Sequence, residues 1–320
     1  MMTRDAIRLA MVLAAMPLLG STLPRGFVGP RTAPVELHLY VADYMGGAIY
    51  RFPIDKSGMP DPKPDIILNG SLKYPVGLAV NGQGNVFVTD ETQTVSEYAV
   101  GAHGDAAPIR KLTASHAAYF LDVDKKGYLY VENGEFNNVA VFAPGARGND
   151  LPLHSIANWN THSDSIDAII VDSQGRLFIS TLAGVYIYDD PIGHWQTPSE
   201  VFLSEQQPIG PVGGATAVDE VADVFYASFG YGHLNGPWIR ADYVKQSIKP
   251  TNVGPGPFIL TEDCTNGGDF AAAISGDYLL TSCNGDPPSV LVYNKNVFGR
   301  QHLVKAIGNF QSPAVIRVGP

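Results

Sequence analysis

Short apolar blocks and polar turns alternate along this chain, and one order of blocks recurs. It reads Gly77-Leu78-Ala79-Val80, then the polar turn Asn81-Gly82-Gln83-Gly84-Asn85, then Val86-Phe87-Val88-Thr89-Asp90. It returns as Phe120-Leu121-Asp122-Val123, Asp124-Lys125-Lys126-Gly127, Tyr128-Leu129-Tyr130-Val131. A third copy is Ala168-Ile169-Ile170-Val171, Asp172-Ser173-Gln174-Gly175, Arg176-Leu177-Phe178-Ile179. The last apolar residue of the first run falls at Val80, Val123, Val171, Val218, Ile274 and Val318, in steps of 43, 48, 47, 56 and 44 residues. Self-similarity on this scale marks a repeat architecture, in which each unit buries its apolar faces only against its neighbours.

Each unit then offers three further candidate strands, β-branched or aromatic and bounded by turn residues. They are 86–89, 95–98 and 109–112; 128–131, 139–142 and 153–156; 177–180, 185–188 and 201–203; 224–227, 238–240 and 258–260; 278–281, 290–293 and 303–306. Four antiparallel strands per repeat is one propeller blade. The N-terminal part supplies 37–42, 48–52 and 65–68 with no innermost strand before them, while Ala314-Val315-Ile316-Arg317-Val318 ends the chain unpartnered. Joining the two completes a blade and removes two sheet edges that would invite aggregation. The pattern therefore predicts an all-β, six-bladed β-propeller of four-stranded antiparallel blades over residues 36–320, its ring closed by the C-terminal strand in the N-terminal blade. A pair of β-sandwiches is the competing fold, disfavoured by the even spacing.

Composition agrees with many short strands and tight turns: 34 glycines, 24 prolines, and only 16% charged residues against 45% hydrophobic. A net charge of −10 without any Lys/Arg cluster argues against a nucleic-acid binder, which needs a basic face. Arg4 and Arg8, an apolar run from Leu9 to Leu19, then Gly20 and Ser21 follow the order of a secretory signal peptide. The run is too short to span a bilayer. We expect a signal peptide at 1–21, a loose leader at 22–35, no transmembrane segment after cleavage, and a secreted or periplasmic product. Export also places Cys264 and Cys283 where a disulfide persists.

Tyr74-Pro75-Val76-Gly77-Leu78-Ala79-Val80 with Gly84-Asn85-Val86-Phe87-Val88-Thr89-Asp90, and Val139-Ala140-Val141-Phe142-Ala143-Pro144-Gly145-Ala146, resemble NHL-repeat proteins and the related six-bladed propellers. In such a fold the loops entering the innermost strands ring one mouth of a central channel, the default binding site. Those loops hold Tyr74; His116 and Tyr119; His162, Asp164 and Asp167; Gly213 and Gly214; Asn266 and Asp269; Gln311 and Ser312. The Asp and Asn residues suit a hard cation such as calcium, and equally suit turns.

Resemblance to the gluconolactonase and senescence-marker-protein family implies a divalent cation that polarises a lactone carbonyl. That family's Glu-Gly-Pro before an innermost strand stands here as Gln311-Ser312-Pro313, without the charge. Resemblance to streptogramin-lyase-like propellers implies a mouth histidine as base. His116 and His162 are placed for it, but the family's His-Gly phrase is replaced by Pro75-Val76-Gly77. No Gly-x-Ser-x-Gly elbow, phosphate loop or His-Glu-x-x-His is present. Two aromatic loops, one with Tyr231, His233 and Trp238 and one with His194 and Trp195, suit ligand stacking or wedging between blades. The reading that follows is a non-catalytic, cofactor-free propeller binding a protein, glycan or small molecule at one face, through His116, Tyr119, His162, Asp164, Asp167, Asp269, Tyr231 and His233. A metal-dependent lactonase or hydrolase of the gluconolactonase-like type, or a streptogramin-lyase-like enzyme, is the alternative.

Overall fold

The computed structural model describes residues 35–320 apart from 71, 91, 115–117, 135–136, 158–165, 182–183, 204–215, 230–237, 244–257, 261–263, 265–268, 298 and 301. The described strands fall into six sheets. The first holds β1 (His38–Asp43), β2 (Ala48–Pro53) and β3 (Ile66–Leu68); the second holds β4 (Gly77–Val80), β5 (Val86–Thr89), β6 (Thr94–Tyr98) and β7 (Arg110–Thr113). The third runs through β8 (Leu121–Val123), β9 (Leu129–Asn133), β10 (Asn138–Phe142) and β11 (His154–Ile156). The fourth runs through β12 (Ile166–Val171), β13 (Leu177–Thr181), β14 (Gly184–Tyr188) and β15 (Glu200–Leu203). The fifth contains β16 (Thr216–Asp219), β17 (Val224–Phe229), β18 (Trp238–Tyr243) and β19 (Phe258–Leu260). The sixth contains β20 (Asp269–Ser275), β21 (Tyr278–Cys283), β22 (Ser289–Asn294) and, after the two-residue β23 (Gly299–Arg300), β24 (Lys305–Ile307). The last strand, β25 (Pro313–Gly319), returns to the first sheet.

β25 pairs antiparallel with β1, Val315 opposite Ala42 and Ile316 opposite Val41. The Tyr40 hydroxyl adds a bond to the Pro320 carbonyl at 2.6 Å. The innermost strands contact one another in the cyclic order β25, β4, β8, β12, β16, β20 and back to β25. First and last segments of the chain thus close one ring.

The turn that recurs in the sequence has one physical design. Asn81, Asp124 and Asp172 each accept the N–H groups two and four residues on, at 2.8–3.0 Å. Glycine follows three residues later with φ of 80, 88 and 85° at Gly84, Gly127 and Gly175, a region that only glycine enters without strain. The side chain replaces a backbone partner and the glycine reverses the chain, which fixes strand register.

Between turns, both faces of the second strands β5 and β9 are buried. Leu129 and Val131 pack towards the second sheet with Phe87 and Leu112, whereas Tyr130 between them packs towards the fourth with Leu177 and Ile179. This explains the continuous apolar runs: a strand sandwiched between two neighbouring sheets has no solvent face. The fifth sheet's extra member, β23, pairs parallel to β19 and comes from the sixth repeat. Single parallel bridges Leu68–Gly104 and Leu112–Gly148 occupy the equivalent places elsewhere. These short stitches between repeats are invisible to strand periodicity. The disulfide Cys264–Cys283 is present, with Cα atoms 5.5 Å apart.

Candidate functional site

Every innermost strand starts, and every second strand ends, at the same end of the ring. That end gathers the loops feeding β25, β4 and β8. At the closing seam, Asp43 ends β1 and is 1% exposed. Its carboxylate accepts the N–H of Ser312 at 2.7 Å, of Gln311 at 3.0 Å and of Gly46 at 3.3 Å. Tyr44 N–H donates to the Ser312 carbonyl at 2.8 Å, and the Ser312 hydroxyl donates to Asn284 Oδ1 at 3.0 Å. Above this framework lies a recess of about 450 Å³ lined by Tyr44, Met45, Asn284, Gln311, Ser312 and Ala314.

The Tyr44 ring meets the Tyr74 ring at 5.2 Å and 39°. Tyr74 has φ of 51°, unusual for a bulky side chain, and leaves 45% of its surface exposed. Met45 is 58% and Tyr119 44% exposed at the same end. Tyr119 and Tyr74 sit on adjacent loops held close by Gly77. A Cβ at that glycine would overlap the Tyr119 carbonyl oxygen and Thr89 Oγ1.

Glu132, in β9, repeats in the third sheet the part Asp43 has in the first. Its Oε2 accepts the Phe120 N–H at 3.1 Å, pinning the loop that feeds β8. Burial pushes its carboxyl up to about 8, against the pull of the Phe120 and Tyr119 N–H groups and with a further push from Asp167. Next to it, Asn133 is 7% exposed and its Oδ1 has no hydrogen-bond partner among the described residues.

Below the mouth, Arg317 of β25 crosses the channel. Its guanidinium donates to the Ile316 carbonyl at 3.1 Å and to the Ile169 carbonyl of β12 at 3.0 Å. By surface area Arg317 is half-buried, yet the protein around it desolvates the guanidinium and lowers its pKa, with Asp122 opposing that shift. A side chain facing a narrow channel meets both descriptions. Asp122 accepts Val123 and Val171 N–H groups at 2.8 Å. Burial raises its pKa, and Arg317 moderates the rise.

Of the residues proposed from sequence, Tyr119 and Asp167 lie at this end, Tyr119 exposed and Asp167 half-buried beside Glu132. The Asp269 backbone opens β20 opposite Cys283, but its side chain is outside the described residues. His116, His162, Asp164, Tyr231 and His233 are outside them too. Trp195 sits as the wedge that the sequence allowed: its ring lies on His154 at 4.7 Å and 14°, packed against the core between the third and fourth sheets. Among the described residues no group of three His, Cys, Asp or Glu gathers as a metal site would need. No described helix is long and apolar enough to cross a membrane. The residues that sequence reasoning missed are Asp43, Tyr44, Met45, Glu132 and Asn284. The one signal was the acidic or polar end of each second strand, a feature visible at Asp43, Asp90 and Glu132.

No family model matches the chain, and no curated protein matches it. Among solved structures, the WD40 beta propeller domain of Doa1 aligns with a TM-score of 0.54 at 10% identity, over 84% of this chain and 78% of that one. Hydrazine Synthase of Kuenenia stuttgartiensis aligns with a TM-score of 0.50 at 10% identity, over 76% of this chain and 89% of that one. The fold is an all-β propeller with four-stranded antiparallel blades. With 923 solved chains matching, the likeness speaks for architecture and leaves function to the site.

Proposed function

We propose that this chain is an exported six-bladed propeller of the NHL-like kind, one blade per sheet, that binds a ligand at the channel mouth. The observation that carries this is the recess of about 450 Å³ between Tyr44, Met45, Asn284 and Gln311. Its size falls within the usual range for small-molecule sites. It lies at the mouth of a channel that Arg317 crosses, so a ligand is held at the mouth rather than passed through. The disulfide fits an oxidising compartment. The lactonase alternative fares less well on the same residues. Gln311 stands where a charged ligand is needed, and Asp43, the carboxylate against that loop, already accepts three backbone N–H groups.

The test is a thermal-shift screen of the full chain against a small-molecule and oligosaccharide library, repeated with Asn284→Ala and with the outer-edge control Leu151→Ser. Hits lost only in Asn284→Ala support a mouth site. Hits that survive Asn284→Ala, or turnover of a lactone panel dependent on a divalent cation, overturn the reading.

A further inference from the structure

We propose that the recess at the closing seam is a subsite for an uncharged carbohydrate unit, and that filling it clamps the ring shut. This deepens the mouth-binding reading and rests on it.

The chemistry of the lining selects the ligand. The described lining residues are an aromatic ring, a thioether, two primary amides, a hydroxyl and a methyl group, with no charged side chain among them. Among the described lining residues an anion finds no cation, and it meets the Asp43 carboxylate behind the wall. A cation finds that carboxylate engaged by Gln311, Ser312 and Gly46. Gly46 also packs closely against it, so freeing Asp43 would undo the loop.

A neutral ligand remains, and the backbone decides which kind. Tyr44 N–H, the Ser312 carbonyl and the Gln311 and Ser312 N–H groups are already paired. An extended peptide draws its affinity from main-chain pairing, and these groups offer none. Side-chain amides and a ring wall suit a sugar, which presents vicinal hydroxyls on its edge and an apolar C–H face. Tyr44, its ring in contact with that of Tyr74, supplies that wall.

The position couples binding to closure. Tyr44 and Met45 follow β1, Gln311, Ser312 and Ala314 lead into and begin β25, and Asn284 follows β21 of the sixth sheet. A bound unit touches both partners of the seam at once. Ligand that binds only the closed ring stabilises closure by mass action, and the linkage is reciprocal.

The experiment uses the full chain, an array of neutral oligosaccharides that includes cellobiose and N,N′-diacetylchitobiose, glucose 6-phosphate and a neutral tripeptide. Calorimetry measures any hit, and hydrogen exchange follows the Val315 and Ile316 amides. The expected result is that at least one neutral sugar binds, that Asn284→Ala and Met45→Lys each weaken it at least tenfold, and that β25 exchange slows when it is bound. Both positions are exposed, so folding is retained, with circular dichroism as the check. Absence of sugar binding, or sugar binding indifferent to both variants, overturns the proposal. Sugar binding without slower β25 exchange overturns the clamp. Binding of the phosphate or the tripeptide, lost in Asn284→Ala, overturns the carbohydrate class while leaving the mouth as a binding site.

Discussion

Arg317 Nη2 donates to the Ile169 carbonyl at 3.0 Å, joining the last strand of the chain to the innermost strand on the opposite side of the ring. The guanidinium is also the charge that offsets the buried Asp122. Replacing Arg317 with Met keeps the volume and removes both contributions, leaving Asp122 uncompensated. The expected loss is about 1–3 kcal/mol, the usual cost of leaving a buried acceptor such as the Ile169 carbonyl without its donor. The double variant Arg317→Met/Asp122→Asn should recover part of it. Urea midpoints at pH 7 for the two single variants and the double variant provide the check, and simple additivity would show that the two groups are not coupled.

The closing strand makes the C-terminus unlike an ordinary tail. Removing residues 311–320 deletes β25, exposes the β1 edge and leaves Asp43 without two of its donors. Loss of the cooperative thermal transition is the expected outcome. A milder probe is Asp43→Ala, which strands three backbone N–H groups at a cost of about 1–3 kcal/mol each when buried. A drop in melting temperature under about 3 °C, corresponding to roughly 1 kcal/mol for a chain of this size, would count against the capping role.

What the sequence revealed divides by distance along the chain. Strands and turns were legible because their causes are local. Asp124 and Gly127 act within one turn, and β5 and β19 begin and end where the apolar runs do. The pairing of β25 with β1 was legible too, since each end carried an incomplete set of strands. Asp43 was not, because its partners are 268 and 269 residues away. Gln311, read as a ligand that had lost its charge, engages Asp43 through its backbone N–H, a donor that any residue except proline would supply. For Trp195 the sequence left ligand stacking and wedging between blades both open, because local pattern does not say that His154, on the neighbouring repeat, lies against its ring. The seam recess is likewise a meeting of three segments far apart in sequence.

The disulfide closes a loop across a separation of 19 residues. In the chain-entropy model such a crosslink is worth about 3 kcal/mol. Changing both Cys264 and Cys283 to Ser should lower the urea midpoint accordingly without shifting ligand binding at the seam. Both sulfurs lie in a buried cluster with Leu291 and Tyr293, so the double substitution also places two hydroxyls there. Wild type under mild reduction is therefore the second arm, and an unchanged midpoint in both arms would refute the stabilising role.

Glu132 should leave a signature in the pH dependence of stability. Its folded pKa of about 8 lies above the ordinary 4.5. The folded state therefore holds a proton that the unfolded chain has released between those values, and stability from this group falls as pH rises across that window. It is fully present below about pH 4.5 and lost above about pH 8. Glu132→Gln mimics the protonated form and keeps an oxygen for the Phe120 N–H. The variant should match wild type near pH 5 and exceed it by a few kcal/mol at pH 9. Parallel stability curves for the two proteins from pH 5 to 9 would show that the carboxyl titrates normally and that burial does not govern it.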